Sequence, residues 1–141
     1  GTHDLDTVKA PFKYTAKPPR DINFVALAQE QSMDAVDLFD HYRGSNSPIK
    51  KFLPIIENSP VYPVVMDAED RVLSLPPIIN GNHSRISVDT KNVLIECTAT
   101  DLTKGNIVLN TVIAMFSEYS STPFSVEPMV VKYPKPHPPS V

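Results

Sequence analysis

The chain has 141 residues, the length of one ordinary domain, which is enough to bury a substantial hydrophobic core. Its formal net charge of −3 argues against the broad basic surface typical of domains that bind nucleic acid by charge alone. Proline averages about 5% of residues, or about 7 in a chain of this length, so the 15 prolines here are an excess, and with only 4 glycines the composition excludes collagen.

Cysteine and histidine give no sign of a disulfide framework or a metal site. Cys97 is the single cysteine, so an intrachain disulfide is excluded, and the four histidines do not show the spacing of metal ligands. No signal peptide is recognisable, and no apolar run approaches the roughly 20 residues of a membrane span. These features predict a fragment of a larger cytoplasmic protein that does not enter a membrane.

The amino-terminal residues are predicted to hold little regular structure. Residues 1–11 are polar and irregular, and we interpret them as a linker or the end of a neighbouring module. Residues 12–17 and 22–27 are short apolar runs of strand type, and the first of them is ended by two prolines.

The first helix is predicted over residues 32–43. Ser32 has the side chain of an N-cap, and Gly44 supplies a carboxy-terminal stop. A short helical turn interrupted by Pro54 is predicted over residues 48–56.

A β-hairpin is predicted at the centre of the chain. Residues 61–66 and 71–75 are strand-like, and the polar residues 67–70 form the loop between them. The second strand runs into Pro76 and Pro77, which cannot lie in the middle of a sheet, so the chain must leave the ladder there.

A strand and a long helix are predicted next. Residues 92–100 form the best strand candidate, which follows a weaker one at 86–88, and Asp101 is placed to cap a helix that extends to about residue 120. Cys97 falls on the apolar face of the strand and is expected to be buried. The opposite face carries Leu94, Glu96, Thr98 and Thr100.

Short final strands are predicted at residues 124–126 and 129–133, followed by a proline-rich tail over 134–141. The order of elements predicts an α+β fold with mixed, mostly antiparallel sheets layered with two long helices, in a domain that spans residues 1–133.

Two segments are candidates for a functional site. Residues 73–81 form a proline-stiffened segment, which is either a rigid shelf for a ligand or merely an exit from the sheet. Glu96, Thr98 and Thr100 form a polar stripe that is either a solvated face or a ligand site at a strand-to-helix junction. Glycine-rich phosphate loops and the common hydrolase motifs are absent from the sequence.

Several blocks of the sequence resemble the β subunit of archaeal and eukaryotic cytosolic phenylalanyl-tRNA synthetase. The strongest are VLSLPPIING at 72–81 and NVLIECTATD at 92–101, and GTHDLDT at 1–7 and MFSEY at 115–119 also match. The resemblance reaches to about residue 133. Ala99 stands where the family pattern has a glycine between two threonines.

The resemblance implies that the chain is the internal editing domain of that subunit, with a three-layer fold of two sheets and helices. Such a domain hydrolyses Tyr-tRNA(Phe) charged in error, at the tRNA acceptor end. It needs no cofactor, because ATP and Mg²⁺ belong to the synthetic site on the α subunit of the α2β2 enzyme. The implied substrate-binding residues are Glu96, Thr98, Ser74, Pro76, Pro77, Asn80 and Val65, and no catalytic residue is identified.

Two other functions stay open. One is a structural or tRNA-contacting module of the same synthetase without editing activity. The other is an adaptor whose proline-rich tail docks into an aromatic groove on a partner.

Overall fold

The computed structural model describes residues 1–119, 125–127 and 129–133. Within them lie eight short strands, two α-helices and three 3-10 helices. The strands are β1 (Thr2–Asp4), β2 (Lys13–Lys17), β3 (Asn23–Phe24), β4 (Met33–Asp34), β5 (Tyr62–Met66), β6 (Val72–Leu75), β7 (Ile79–Asn80) and β8 (Val93–Ile95). The helices are α1 (Ala35–Arg43) and α2 (Leu102–Tyr119), and the 3-10 helices are Leu5–Thr7, Pro19–Asp21 and Pro48–Ile55.

The strands form three antiparallel sheets. The largest has the order β2-β5-β6-β7, and β1 pairs with β8 and β3 with β4 in two-stranded ribbons. The predicted α+β class with antiparallel sheets and a carboxy-terminal helix is therefore confirmed. The hairpin predicted at the centre of the chain is β5 and β6, and it contains a register shift at Val65 and Met66.

The main hydrophobic core lies between α1 and the four-stranded sheet. Leu38 and Phe39 of α1 are almost fully buried, and the Phe39 ring stacks on Tyr62 of β5 with 5.0 Å between ring centroids. A second, smaller cluster contains Val65 and Leu94, and it joins the large sheet to β8. This second cluster sets the position of β8, which carries part of the candidate site.

The predicted start of α1 is wrong by three residues. Met33 and Asp34 pair with β3, so the chain is still extended there and Ser32 cannot cap the helix. Asp34 is the N-cap instead, because its carboxylate accepts a hydrogen bond from the Asp37 amide at 2.9 Å. The predicted stop at Gly44 is confirmed, since its amide donates to the Asp40 carbonyl at 3.2 Å.

The interpretation of residues 1–11 as a linker is also wrong. Thr2–Asp4 is strand β1, and its partner is the strand predicted over 92–100. That strand is only three residues long because β1 offers only three residues for pairing. Cys97 lies beyond the paired segment and is exposed, contrary to expectation.

The long carboxy-terminal helix is confirmed, but the strands predicted after it are wrong. Asp101 accepts a hydrogen bond from the Lys104 amide at 3.0 Å in front of α2. Residues 125–127 and 129–133 form no strand, and Val130 and Val131 are 85% and 70% exposed, so these apolar side chains are not buried against a sheet. Residues 86–88 also form no strand. Residue 124 and the tail at 134–141 lie outside the described residues.

Neither described helix has the length and apolar character that crossing a membrane requires.

Tyr42 on α1 carries the one buried side-chain polar atom that has no hydrogen-bond partner among the described residues. Its ring is 2% exposed, and burial raises the pKa of its phenol. Since an unsatisfied buried hydroxyl costs about 1–3 kcal/mol, we expect Tyr42→Phe to increase the free energy of unfolding by about 1 kcal/mol. Urea denaturation measures this change.

Tyr62→Phe is the matched control. The Tyr62 hydroxyl donates to the Glu57 carbonyl at 3.0 Å, so its removal is expected to destabilise the protein by about 1 kcal/mol. Equal effects of the two substitutions would show that the Tyr42 hydroxyl is satisfied in solution.

Candidate functional site

A cavity of about 360 Å³ opens where the end of β6 approaches the segment that follows β8. This volume lies in the range of small-molecule sites. Six of the residues predicted from the sequence line it, namely Ser74, Pro76, Pro77, Asn80, Glu96 and Thr98. The fold therefore brings together two segments that are separate in the sequence.

One wall of the pocket is the tight connection between β6 and β7. Pro76 and Pro77 follow β6 directly and are joined by a cis peptide bond. The Ile78 amide donates to the Leu75 carbonyl at 2.8 Å, and the returning strand places Asn80 opposite Ser74. Because prolines have no amide hydrogen, these two residues form a wall that leaves no backbone donor unpaired.

Five further residues line the pocket and were not predicted. They are Gly1, Leu27, Leu75, Ile78 and Ile79. Leu27 is held there because its amide donates to the Asn80 carbonyl at 2.9 Å. Apart from Gly1, these residues are apolar, so the pocket wall combines hydrophobic side chains with the polar groups of the predicted residues.

Glu96 supplies the single titratable side chain among the described residues that line the pocket. It follows β8, and its side chain is 19% exposed. Its Oε1 accepts a hydrogen bond from the Ser74 hydroxyl at 3.1 Å, and it lies 3.3 Å from both His3 Nε2 and the Gly1 ammonium. These contacts hold the carboxylate at the pocket wall.

The environment of Glu96 favours its ionised form. Burial acts to raise the pKa of the carboxyl, but in this 141-residue chain the hydrogen bond from His3, the charge at the first residue and the hydrogen bond from Ser74 together outweigh burial and lower the pKa. Glu96 is therefore an anion at neutral pH, with full capacity as a hydrogen-bond acceptor.

His3 and Ser84 belong to the same cluster of side chains, and neither was predicted. Both are buried, at 0% and 1% exposure. His3 Nδ1 lies 2.7 Å from Ser84 Oγ. The one available signal was that His3 lies inside the matching block at residues 1–7, but nothing local to that block shows which strand it pairs with.

Val65 does not line the pocket, although it was predicted to. It is the register partner of Ser74, but its side chain is buried in the second core cluster with Leu73 and Leu94. Thr98 lines the pocket and is exposed. Groups of three or more acidic, histidine or cysteine side chains that could hold a metal ion are absent from the described residues.

We compared this antiparallel α+β domain with known protein families and structures. Residues 1–129 match the B3/4 domain, and the chain belongs to this family. The homologues are phenylalanine–tRNA ligase beta subunits. The Arabidopsis thaliana subunit, whose name includes the word cytoplasmic, is 59% identical over 133 residues, which are 94% of this chain and 22% of that protein.

Further comparisons agree. The Homo sapiens beta subunit is 52% identical over 134 residues, covering 95% of this chain and 23% of that protein. A crystal structure of an N-terminal fragment of the phenylalanyl-tRNA synthetase beta subunit from Pyrococcus horikoshii superposes with a TM-score of 0.75 at 30% identity, covering 84% of this chain and 33% of that one. The chain thus spans less than a quarter of the length of these curated relatives.

Proposed function

We propose that this chain is the editing domain of a phenylalanyl-tRNA synthetase β subunit, and that it hydrolyses Tyr-tRNA(Phe). The observation that carries the proposal is the ionised Glu96 carboxylate at the wall of a pocket that is also lined by apolar side chains, Thr98 and Ser74, whose hydroxyl donates to Glu96. The relatives support a role within the synthetase, because they are named as beta subunits of phenylalanine–tRNA ligase.

The pocket has the chemistry that an editing site for tyrosine needs. A site that binds phenylalanine rejects a ligand with one added hydroxyl only about 10²-fold, so such a site would sometimes attach tyrosine to tRNA(Phe) in error. A second site that hydrogen-bonds the hydroxyl reverses the preference, because phenylalanine would leave a buried polar group without a partner. Such sites discriminate by up to about 10⁴–10⁵.

Glu96 has an acceptor to spare for that hydroxyl. Its Oε1 is already used by Ser74 and His3, whereas its Oε2 accepts no hydrogen bond from the described residues. The apolar residues of the wall would bind the rings of tyrosine and phenylalanine equally, so the polar groups that line the pocket would distinguish the two, and Glu96 is the charged one among them.

The hydrolysis itself would depend on positioning. Water attacks the ester carbonyl, the bond to the terminal ribose oxygen breaks, and that oxygen takes a proton as the tRNA leaves. Since Glu96 is the single titratable side chain among the described pocket residues and is placed to bind the phenol, we assign proton transfer to the ribose hydroxyl of the tRNA, with backbone amides stabilising the oxyanion.

The domain would act within a complete synthetase. The proposed partners are the α subunit, in an α2β2 enzyme of the cytoplasm, and the acceptor end of tRNA(Phe). ATP and Mg²⁺ would serve the synthetic site on the α subunit and not this pocket. The net charge of −3 supports tRNA binding that depends mainly on other parts of the enzyme.

The test is deacylation of preformed Tyr-tRNA(Phe) by the complete synthetase that carries Glu96→Ala. We expect the rate to fall about 100-fold or more, because the phenol would enter the pocket without its charged acceptor. Phe-tRNA(Phe) deacylation is measured in parallel and is expected to stay at its low background.

Glu118→Ala is the control, since Glu118 is an exposed carboxylate on α2. An unchanged rate in the Glu96 variant would contradict the role assigned to Glu96. If the unaltered enzyme hydrolysed Tyr-tRNA(Phe) no faster than buffer does, the chain would instead be a structural or tRNA-contacting module. With Glu96 assigned to binding, no other titratable side chain of the described pocket residues is left to act as a general base, which favours that second candidate.

A further inference from the structure

His3 is a buried histidine with partners on both ring nitrogens. It lies on β1 with no exposed surface, at 2.7 Å from Ser84 Oγ through Nδ1 and at 3.3 Å from Glu96 Oε1 through Nε2. Two buried polar nitrogens that are both paired fix the plane of the ring, because any rotation would leave one of them unsatisfied.

The backbone also fixes this arrangement from both sides. The Asp4 amide donates to the Ser84 carbonyl at 2.8 Å, which ties the loop carrying Ser84 to β1. The Glu96 amide donates to the Gly1 carbonyl at 2.9 Å, which ties the segment carrying Glu96 to the same strand. His3 therefore lies between two partners that are both held against β1.

The ionised Glu96 assigns one proton in this cluster. Glu96 can only accept, so His3 Nε2 must carry a proton. His3 Nδ1 accepts from the Ser84 hydroxyl when the imidazole is neutral and donates to the Ser84 oxygen when it is charged, so this contact is kept in both forms. The result is a chain of hydrogen bonds that runs from Ser84 through His3 to Glu96, where the Ser74 hydroxyl donates to the same oxygen.

His3 does not line the pocket, so any effect it has on a ligand must pass through Glu96. Its bond occupies Oε1 and leaves Oε2 for the ligand. Oε1 also lies 3.3 Å from the Gly1 amino group, which is unchanged in every His3 variant. A carboxylate with neither His3 nor Ser74 would keep only this contact and could rotate, so that either oxygen could turn away from the pocket. Ordering the acceptor before the substrate arrives removes this entropic cost from binding.

We propose that His3 is a positioning residue for Glu96, that Ser84 holds the His3 ring in place through Nδ1, and that this buried chain of hydrogen bonds determines how strongly the pocket selects a hydroxylated side chain. The selectivity part of the proposal rests on the proposed function. The positioning part concerns side chains of this chain alone and can be tested without any tRNA.

Two substitutions separate the donor from the ring. His3→Gln supplies an amide NH₂ that can donate to Glu96 in place of the imidazole. His3→Leu removes the donor and fills the space with an apolar side chain of similar size. In the complete synthetase we expect His3→Leu to reduce the preference for Tyr-tRNA(Phe) over Phe-tRNA(Phe) by about tenfold or more, and His3→Gln to restore most of it. Ser84→Ala is expected to have an intermediate effect.

The titration midpoint of the Glu96 carboxyl distinguishes a positioning role from a merely structural one, because loss of a structural contact alone would not change it. It is followed by NMR of the carboxyl carbon in the 141-residue chain, with glutamate labelled, and the signal is assigned by its loss in Glu96→Gln. We expect the titration midpoint to rise in His3→Leu and to return toward its original value in His3→Gln. A double variant of His3→Leu with Glu96→Gln should show no further loss of selectivity beyond Glu96→Gln alone.

The outcomes are distinguishable. An unchanged midpoint and unchanged selectivity in His3→Leu would overturn the positioning role, whatever happens to thermal stability. If Glu96→Ala left deacylation intact while the midpoint rose in His3→Leu, the proposed function would fail and the positioning role would stand. If His3→Leu did not fold, Ser84→Ala and His3→Gln would decide by the same two measurements.

Discussion

Asp67→Ala is expected to lower the free energy of unfolding by about 3 kcal/mol. The side chain is fully buried in the turn between β5 and β6. Its carboxylate accepts hydrogen bonds from the backbone amides of Lys9, Glu69 and Arg71 at 3.0–3.2 Å and pairs with the Arg71 guanidinium at 2.7 Å. Alanine would leave three amides without their acceptor. Urea denaturation of the 141-residue chain measures the loss.

Glu69→Ala is the control in the same turn. Glu69 is exposed and approaches Arg71 only at 3.5 Å, so the expected change is below about 0.5 kcal/mol. A loss of stability in Asp67→Ala no greater than in this control would show that water replaces the carboxylate without cost.

The role of Asp67 also predicts a pH dependence. Burial acts to raise the pKa of this carboxyl, but the hydrogen bonds from Arg71 and the backbone outweigh it and lower the pKa. In the unfolded chain the pKa of this carboxyl has its ordinary value of about 3.9. A carboxyl whose pKa is lower in the folded state adds stability above the unfolded value and loses it as pH falls through the folded value. The stability difference between the original protein and Asp67→Asn should therefore shrink below about pH 4, and a constant difference would contradict the assignment.

Gly81→Ala is expected to lower the free energy of unfolding by about 2–3 kcal/mol and to distort the pocket. A Cβ at this position would overlap the carbonyl oxygen of Val72, which is backbone and cannot move aside. The Gly81 amide donates to the Leu73 carbonyl at 2.7 Å, and Gly81 bridges to Ala26. Displacing Gly81 would carry the adjacent Asn80 with it. Thermal unfolding measures the stability. If the proposed function holds, deacylation of Tyr-tRNA(Phe) by the complete synthetase measures the effect on the pocket.

Gly44→Ala is the matched control for this substitution. Its φ is −82°, and an added Cβ would come no closer than 3.7 Å to the Asp40 carbonyl, which is ordinary contact. We expect a change within about 0.5 kcal/mol, because alanine also restricts the unfolded chain. If both glycines tolerated alanine equally, the strand around Gly81 would be more adaptable than the structure shows.

The sequence predicted those elements whose signals are local. The hairpin of β5 and β6 follows from two strand-like runs joined by a polar turn, and α2 follows from a helical period behind the capping residue Asp101. The start of α1 could not be found in this way, because Ser32 has the same capping side chain as Asp34. The pairing of Met33 with Phe24 decides between them, and that pairing is tertiary.

The candidate site shows the same division. Ser74, Pro76 and Glu96 were predicted because they stand in blocks that resemble a known family, and the structure places them around one pocket. His3 was missed because a single histidine in a polar stretch gives no local sign of burial. Its importance depends on a strand pairing with residues 93–95, which no periodicity in residues 1–11 indicates. Val65 was predicted for the pocket from the same resemblance. The sequence alone does not show which core cluster a buried valine joins, and Val65 packs with Leu73 and Leu94.

The pairing of β1 with β8 has a consequence for how the site comes into being. His3 and Glu96 are 93 positions apart, and they are joined through a ribbon of three residues per strand. Contacts between such distant positions carry a large loop-closure cost, so this ribbon should form late in folding. Glu96 therefore gains His3 as a partner only after this ribbon has closed, so the carboxylate is positioned in one of the last steps of folding.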